Sequence, residues 1–115
     1  MKYLLIICHD SHFRPTKGLV ADILKWMDKM IERGILIHGN PLKPAGEART
    51  VRVREGKLTV KKGPSTMSKE KISAYVLIEC SEMDAAVKVA SSHPMAREAT
   101  VEVRPVWEEL AGIKD

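Results

Sequence analysis

Ala74-Tyr-Val-Leu-Ile-Glu-Cys80 carries apolar side chains at consecutive positions. That is the pattern of a strand wanting cover on both faces, not one half-solvated. Tyr3-Leu-Leu-Ile-Ile7 repeats the pattern near the N-terminus. Between these two lies a helical segment. Leu19, Val20, Ile23, Trp26, Met27, Met30 and Ile31 recur at helical spacing, with Asp22, Lys25, Asp28, Lys29 and Glu32 interleaved. Thr16 is placed to cap its start and Gly34 to end it in a left-handed conformation.

Working outward, Ile35–Ile37 predicts a short second strand broken by Gly39-Asn-Pro41, with Pro44-Ala-Gly46 extending the break into a loop. Thr50-Val-Arg-Val-Arg54 and Lys57-Leu-Thr-Val-Lys61 flank Glu55-Gly56, a two-residue hairpin turn. Pairing Arg54 with Lys57 sets Val53 opposite Leu58 and Val51 opposite Val60, so the apolar residues share one face. Ser81-Glu-Met-Asp84 reads as a capping box opening a second helix through Val87, Val89 and Ala90, stopped by His93-Pro94. Thr100–Val106 alternates as a last strand, and Trp107–Leu110 suits a short helical turn.

The order is strand, helix, strand, inserted hairpin, strand, helix, strand. It predicts an α+β ferredoxin-like sandwich in one domain spanning 1–115, with two helices on one face of the sheet. The other face then lacks cover, although both central strands are apolar on both sides. A chain of 115 residues cannot supply that cover, and a second copy can. The expectation is a homodimer, two open sheets closing into a dimeric α+β barrel with the hairpin reaching toward the partner.

Composition bounds the function. The chain is 44% hydrophobic and 30% charged, and no apolar run approaches a membrane span. The sequence therefore reads as cytoplasmic, with no membrane partner. Cys8 and Cys80 each close an apolar run, the usual setting of a buried free thiol. The net charge of +4 is scattered among 15 acidic residues, and neither a recognition helix nor a basic stripe is evident, so direct nucleic-acid binding is not expected. No cofactor motif is present: Gly63-Pro64 turns the chain sharply, but a phosphate cradle needs more glycines and a following helix. Cys8, His9, His12 and His38 are ligand types without a zinc spacing, so no metal is expected.

Lys62-Gly-Pro-Ser-Thr-Met-Ser-Lys-Glu70 resembles the Asp-Gly-Pro-Phe-Ala-Glu-Thr-Lys-Glu signature of the DGPF proteins, a branch of the YCII-related family. Lys2-Tyr-Leu-Leu-Ile6, Gly39-Asn-Pro-Leu42, Thr50–Arg54 and Val101-Glu-Val-Arg-Pro-Val106 match in the same order. The resemblance implies the dimeric α+β barrel. For activity it implies either of two things. Some relatives look like small enzymes of aromatic degradation, using a His–Asp pair for proton transfer and elimination. Others are encoded with sigma factors, which suits a non-catalytic ligand sensor or interaction module linked to transcription through partners. This chain has no His in its first helix, and His93-Pro94 stands where YCII-like enzymes have Asp-Pro.

The topology directs attention to one sheet edge, where His9, Asp10, His38 and Tyr75 are expected near Arg14. A His beside a carboxylate suits a general base, and Arg14 or the helix start suits an anion. The plainer reading makes His9, Asp10 and His12 loop residues that solvate a strand end. Arg52 and Arg104 point away from the apolar faces of their strands and could hold a carboxylate, or form surface ion pairs. The expected ligand is a small organic molecule, an anion being one option, held between sheet and helices.

Overall fold

The structure, a computed structural model, describes residues 1–112. Strands β1 (Lys2–His9), β2 (Leu36–Pro41), β5 (Lys71–Glu79) and β6 (Thr100–Pro105) form an antiparallel sheet in the order β2-β5-β1-β6. Strands β3 (Arg49–Arg54) and β4 (Lys57–Lys62) form a separate hairpin. The helices are α1 (Lys17–Glu32), α2 (Met83–Ser92), α3 (Met95–Glu98) and α4 (Glu108–Ala111). The expected order and the central β5-β1 pair are both present.

Alternation divides the two sheet faces. Tyr3, Leu5 and Ile7 of β1 and Val76 and Ile78 of β5 are buried against Leu19, Trp26 and Met30 of α1, Ala86, Val89 and Ala90 of α2, and Met95 of α3. On the opposite face the cross-strand register sets out two transverse rows. One runs His38, Leu77, Leu4, Arg104; the other runs Asn40, Tyr75, Ile6, Glu102. Leu4, Ile6, Tyr75 and Leu77 are only half-buried there.

The hairpin follows the expected register from Arg49↔Lys62 to Arg54↔Lys57. Its turn places Glu55 and Gly56 both at positive φ, 52° and 76°, which matches the right-handed twist of the flanking strands. Val51, Val53, Leu58 and Val60 share one face and each is more than half exposed. The radius of gyration is 16.2 Å, against about 13 Å for a compact chain of this length. The principal extents of 47 × 43 × 19 Å describe a flat body. The excess reflects an open sheet and a projecting hairpin.

Thr16 caps α1 by accepting from the Leu19 amide at 3.1 Å, and Gly34 follows at φ 70°. Three local readings are corrected. Gly39-Asn-Pro41 does not break the second strand but lies within it. β2 is an edge strand, so the donor missing at Pro41 leaves no gap in a ladder. Gly39 is required there because a Cβ would sit 2.9 Å from the Tyr75 carbonyl oxygen and 3.3 Å from Val76 Cα. Gly39→Ala is expected to cost about 1–3 kcal/mol in urea unfolding, since backbone atoms of the neighbouring strand must move.

Ser81 is not the cap of α2; Glu82 holds that position without a side-chain bond. His93-Pro94 stops α2 but also starts the further turn α3, because proline suits the opening of a helix as well as it ends one.

Candidate functional site

A cavity of about 1300 Å³ lies between α1 and the β2–β5 side of the sheet. Leu19, Ile23 and Met27 of α1, one turn apart, form one wall, and Ile7, Ala74 and Val76 form the floor. Residues 10–15, 41–45 and 67–71, loops with the adjoining ends of β2 and β5, surround the mouth.

The β1–α1 loop is held by its own backbone. The Asp10 carboxylate accepts from the His12 amide at 2.9 Å and the Phe13 amide at 3.2 Å. Arg14 donates to the Ser11 and Phe13 carbonyls at 2.7 and 2.9 Å. Such Asx turns are a standard use of aspartate in loops. His9, which lines the cavity, stacks on Phe13 with centroids 4.6 Å apart. Its Nδ1 lies 2.9 Å from the Asp10 carbonyl oxygen. A carbonyl only accepts, so Nδ1 donates here, and Nε2 is the nitrogen open to a proton.

The expected convergence at the sheet edge is therefore corrected in part. His9 meets the main chain of Asp10 rather than its carboxylate, and the Arg14 guanidinium is occupied by loop carbonyls. His38 lies on the open face, 3.1 Å from the Tyr75 hydroxyl, which Asn40 Nδ2 also approaches at 3.1 Å. The cause is a β-bulge. Leu36 pairs with Ile78 on the helix face, whereas His38 pairs with Leu77 on the other, so the extra residue Ile37 reverses the parity of the strand. Arg52 sits on the hairpin opposite Thr59, on the side away from the valines. Arg104 forms the surface ion pair with Glu102 at 3.3 Å, on the open face.

His93 lines the site, although the sequence offered it only as a helix stop standing where YCII-like enzymes have aspartate. It is 2% exposed and lines the cavity. The Met95 amide donates to its Nδ1 at 3.0 Å, which puts the proton of the neutral ring on Nε2. No described residue bonds Nε2. Nε2 is thus the ring nitrogen left open on a residue that lines the cavity. Its ring leans on Trp26, centroids 4.6 Å apart. Trp26 in turn donates to the Ser92 hydroxyl at 2.8 Å, which donates to the Val89 carbonyl at 2.6 Å. Burial lowers the His93 pKa to about 4, so the ring is a neutral donor at ordinary pH. One signal was available: Ala86, Val89, Ala90 and His93 continue a single helical stripe, placing the imidazole inward.

Burial raises the pKa of both free thiols, Cys8 and Cys80, so neither is an activated nucleophile. No three His, Cys, Asp or Glu residues among the described residues are placed to share a metal ion. No helix among them is long and apolar enough to cross a membrane.

The fold and site define a small α+β protein with an apolar cavity, one imidazole at its mouth and a neutral one in its wall. The YCII-related domain matches residues 1–110, and the chain belongs to that family. Among solved structures it is similar to the 5-chloro-2-hydroxyhydroquinone dehydrochlorinase TftG from Burkholderia phenoliruptrix AC1100, in complex with 2,5-dihydroxybenzoquinone. That likeness has a TM-score of 0.50 and 16% identity, over 92% of this chain and 93% of that one. At this identity it is a likeness of fold. No curated protein matches the chain significantly.

Proposed function

We propose that the chain binds a small, anionic organic molecule in the cavity and moves a proton on it. The observation that supports this most is His93, a buried imidazole held neutral in the lining of an apolar cavity, its Nδ1 engaged and its Nε2 without a partner among the described residues. There it stabilises negative charge developing on a ligand oxygen, in a setting where water competes poorly. His9 Nε2 takes the proton at the mouth. The ligand held by the similarly folded dehydrochlorinase is a ring with oxygen substituents, and a group of that kind suits a donor in an apolar wall. Gly63-Pro64 and Lys69-Glu70 favour the DGPF branch of the family. The open sheet face supports a homodimer, and the reduced thiols fit the cytoplasm.

The test follows 2,5-dihydroxybenzoquinone by Trp26 fluorescence and by deuterium exchange at its ring carbons in D2O. Wild-type protein is expected to bind it and accelerate exchange. His9→Gln is expected to slow exchange about 100-fold or more with binding little changed, the usual loss of a general base. Binding without accelerated exchange means a sensor. That second reading is favoured by the hairpin, whose uncovered valines are the kind of surface that meets another protein.

A further inference from the structure

We infer that the cavity's natural ligand is an amphipathic acid: an anionic head at the lysine-bearing mouth and an unbranched apolar tail too long to be a single ring. This rests on the reading that the cavity is the ligand site, and it names the class of molecule. Size is the first argument. At about 1300 Å³ the cavity exceeds the roughly 300–1,000 Å³ of ordinary small-molecule sites, so one ring beside His93 leaves much of it as water on hydrocarbon. Where that water lies is the second argument. Val20, Leu24, Leu42, Met67 and Ile72 all line the cavity, and each keeps about half or more of its surface exposed. They come from α1, the loop after β2, the loop before β5 and β5 itself, so only an extended body reaches them all. Met67, 93% exposed, supplies an unbranched thioether that can adapt to such a tail.

Charge is the third argument and fixes the head group. Lys43, Lys69 and Lys71 line the mouth, against a single carboxylate, Asp10. Asp10 is bound by two backbone amides, so it does not neutralise the lysines by direct pairing. Lys71 donates to the Thr66 carbonyl at 2.8 Å. Lys43 and Lys69 have no hydrogen-bond or ion-pair partner among the described residues. Two free ammonium groups at the entrance of an apolar chamber suit one carboxylate or its equivalent, with the tail directed inward along α1.

The experiment is calorimetric titration of the full chain with sodium hexanoate, octanoate and decanoate below their micelle-forming concentrations, with octanol and 2,5-dihydroxybenzoquinone beside them. Affinity is expected to rise about three- to fourfold per added methylene, the transfer value for a buried CH₂ group. Octanol is expected to bind more weakly than octanoate. The Lys43→Ala/Lys69→Ala double variant is expected to lose about tenfold for octanoate and to keep its octanol affinity, as removal of an ionic hydrogen bond predicts. Leu24→Glu is expected to abolish the length dependence, which places the tail along α1, with circular dichroism confirming that both variants fold. Flat affinity across the series, with the quinone bound, overturns this inference and leaves the proposed function standing. Failure of both acids and quinone to bind overturns the two together.

Discussion

Between pH 6.5 and pH 4 the wild-type chain should lose up to about 3 kcal/mol more stability than a His93→Asn variant. In the unfolded chain His93 titrates at its ordinary value of 6.5, and in the folded chain burial lowers this to about 4. Across that window the unfolded chain binds the extra proton and the folded chain does not. Stability is therefore fully present above pH 6.5 and falls as pH falls toward 4, by about 1.4 kcal/mol for each pH unit between the two values. The Asn side chain can still accept from the Met95 amide, so the variant keeps the turn into α3 while losing the titration. Carboxylates elsewhere contribute equally to both proteins and cancel in the comparison. Urea unfolding at several pH values across the window reads the difference directly. Parallel curves for the two proteins would mean that His93 is solvated, and the neutral donor in the cavity wall would go with it.

In the proposed homodimer, with the open sheet faces packed together, Leu77→Lys should leave a folded monomer. Leu77 and Leu4 face each other at the centre of the uncovered sheet face, flanked by His38 on one side and Arg104 on the other. In a two-fold pairing of open sheets this point lies near the axis, so the substitution places two ammonium groups in a space built for leucine. Desolvating them without partners costs several kcal/mol, and each increment of about 1.4 kcal/mol is tenfold in dissociation constant. Sedimentation equilibrium at micromolar concentration is expected to show wild-type dimer and variant monomer. The fold should survive, because Leu77 points away from the core made by Val76 and Ile78. A wild-type monomer would remove the case for the barrel. A variant that remains dimeric would move the interface elsewhere, with the hairpin the next surface to test.

What could be read from the sequence follows from the range of the forces involved. The hairpin register was legible because alternation and turn chemistry act within a few residues of each other. The α1 boundaries were legible because Thr16 and Gly34 carry the end signals themselves. The β5-β1 pair declared itself through consecutive apolar residues. The continuation of β2 through Gly39 was not legible, because it depends on being an edge strand, and position in a sheet is a tertiary fact. The face taken by His38 was hidden for a related reason: one inserted residue, Ile37, reverses parity, and nothing local to Ile37 announces a bulge. The loop site was partly legible. His9 reaches the cavity, but whether Asp10 offers it a carboxylate or a carbonyl depends on which of them the following amides engage. His93 was concealed by its own proline, which reads as punctuation until the preceding stripe of Ala86, Val89 and Ala90 is carried one turn further.

The hairpin also bears on how the chain stays out of aggregates. Neither β3 nor β4 is paired on its outer side, and the four apolar side chains on one face would suit stacking between copies. Against this, residues 49–62 carry six cations, Arg49, Arg52, Arg54, Lys57, Lys61 and Lys62, and a single Glu55. Two hairpins approaching edge to edge bring like charges together, the same device by which natural edge strands resist unwanted pairing. That repulsion weakens as salt shortens the screening length. Concentrated electrolyte is thus the condition in which this protein is most exposed to fibrous self-association, and dilute buffer the one in which its own charge guards it.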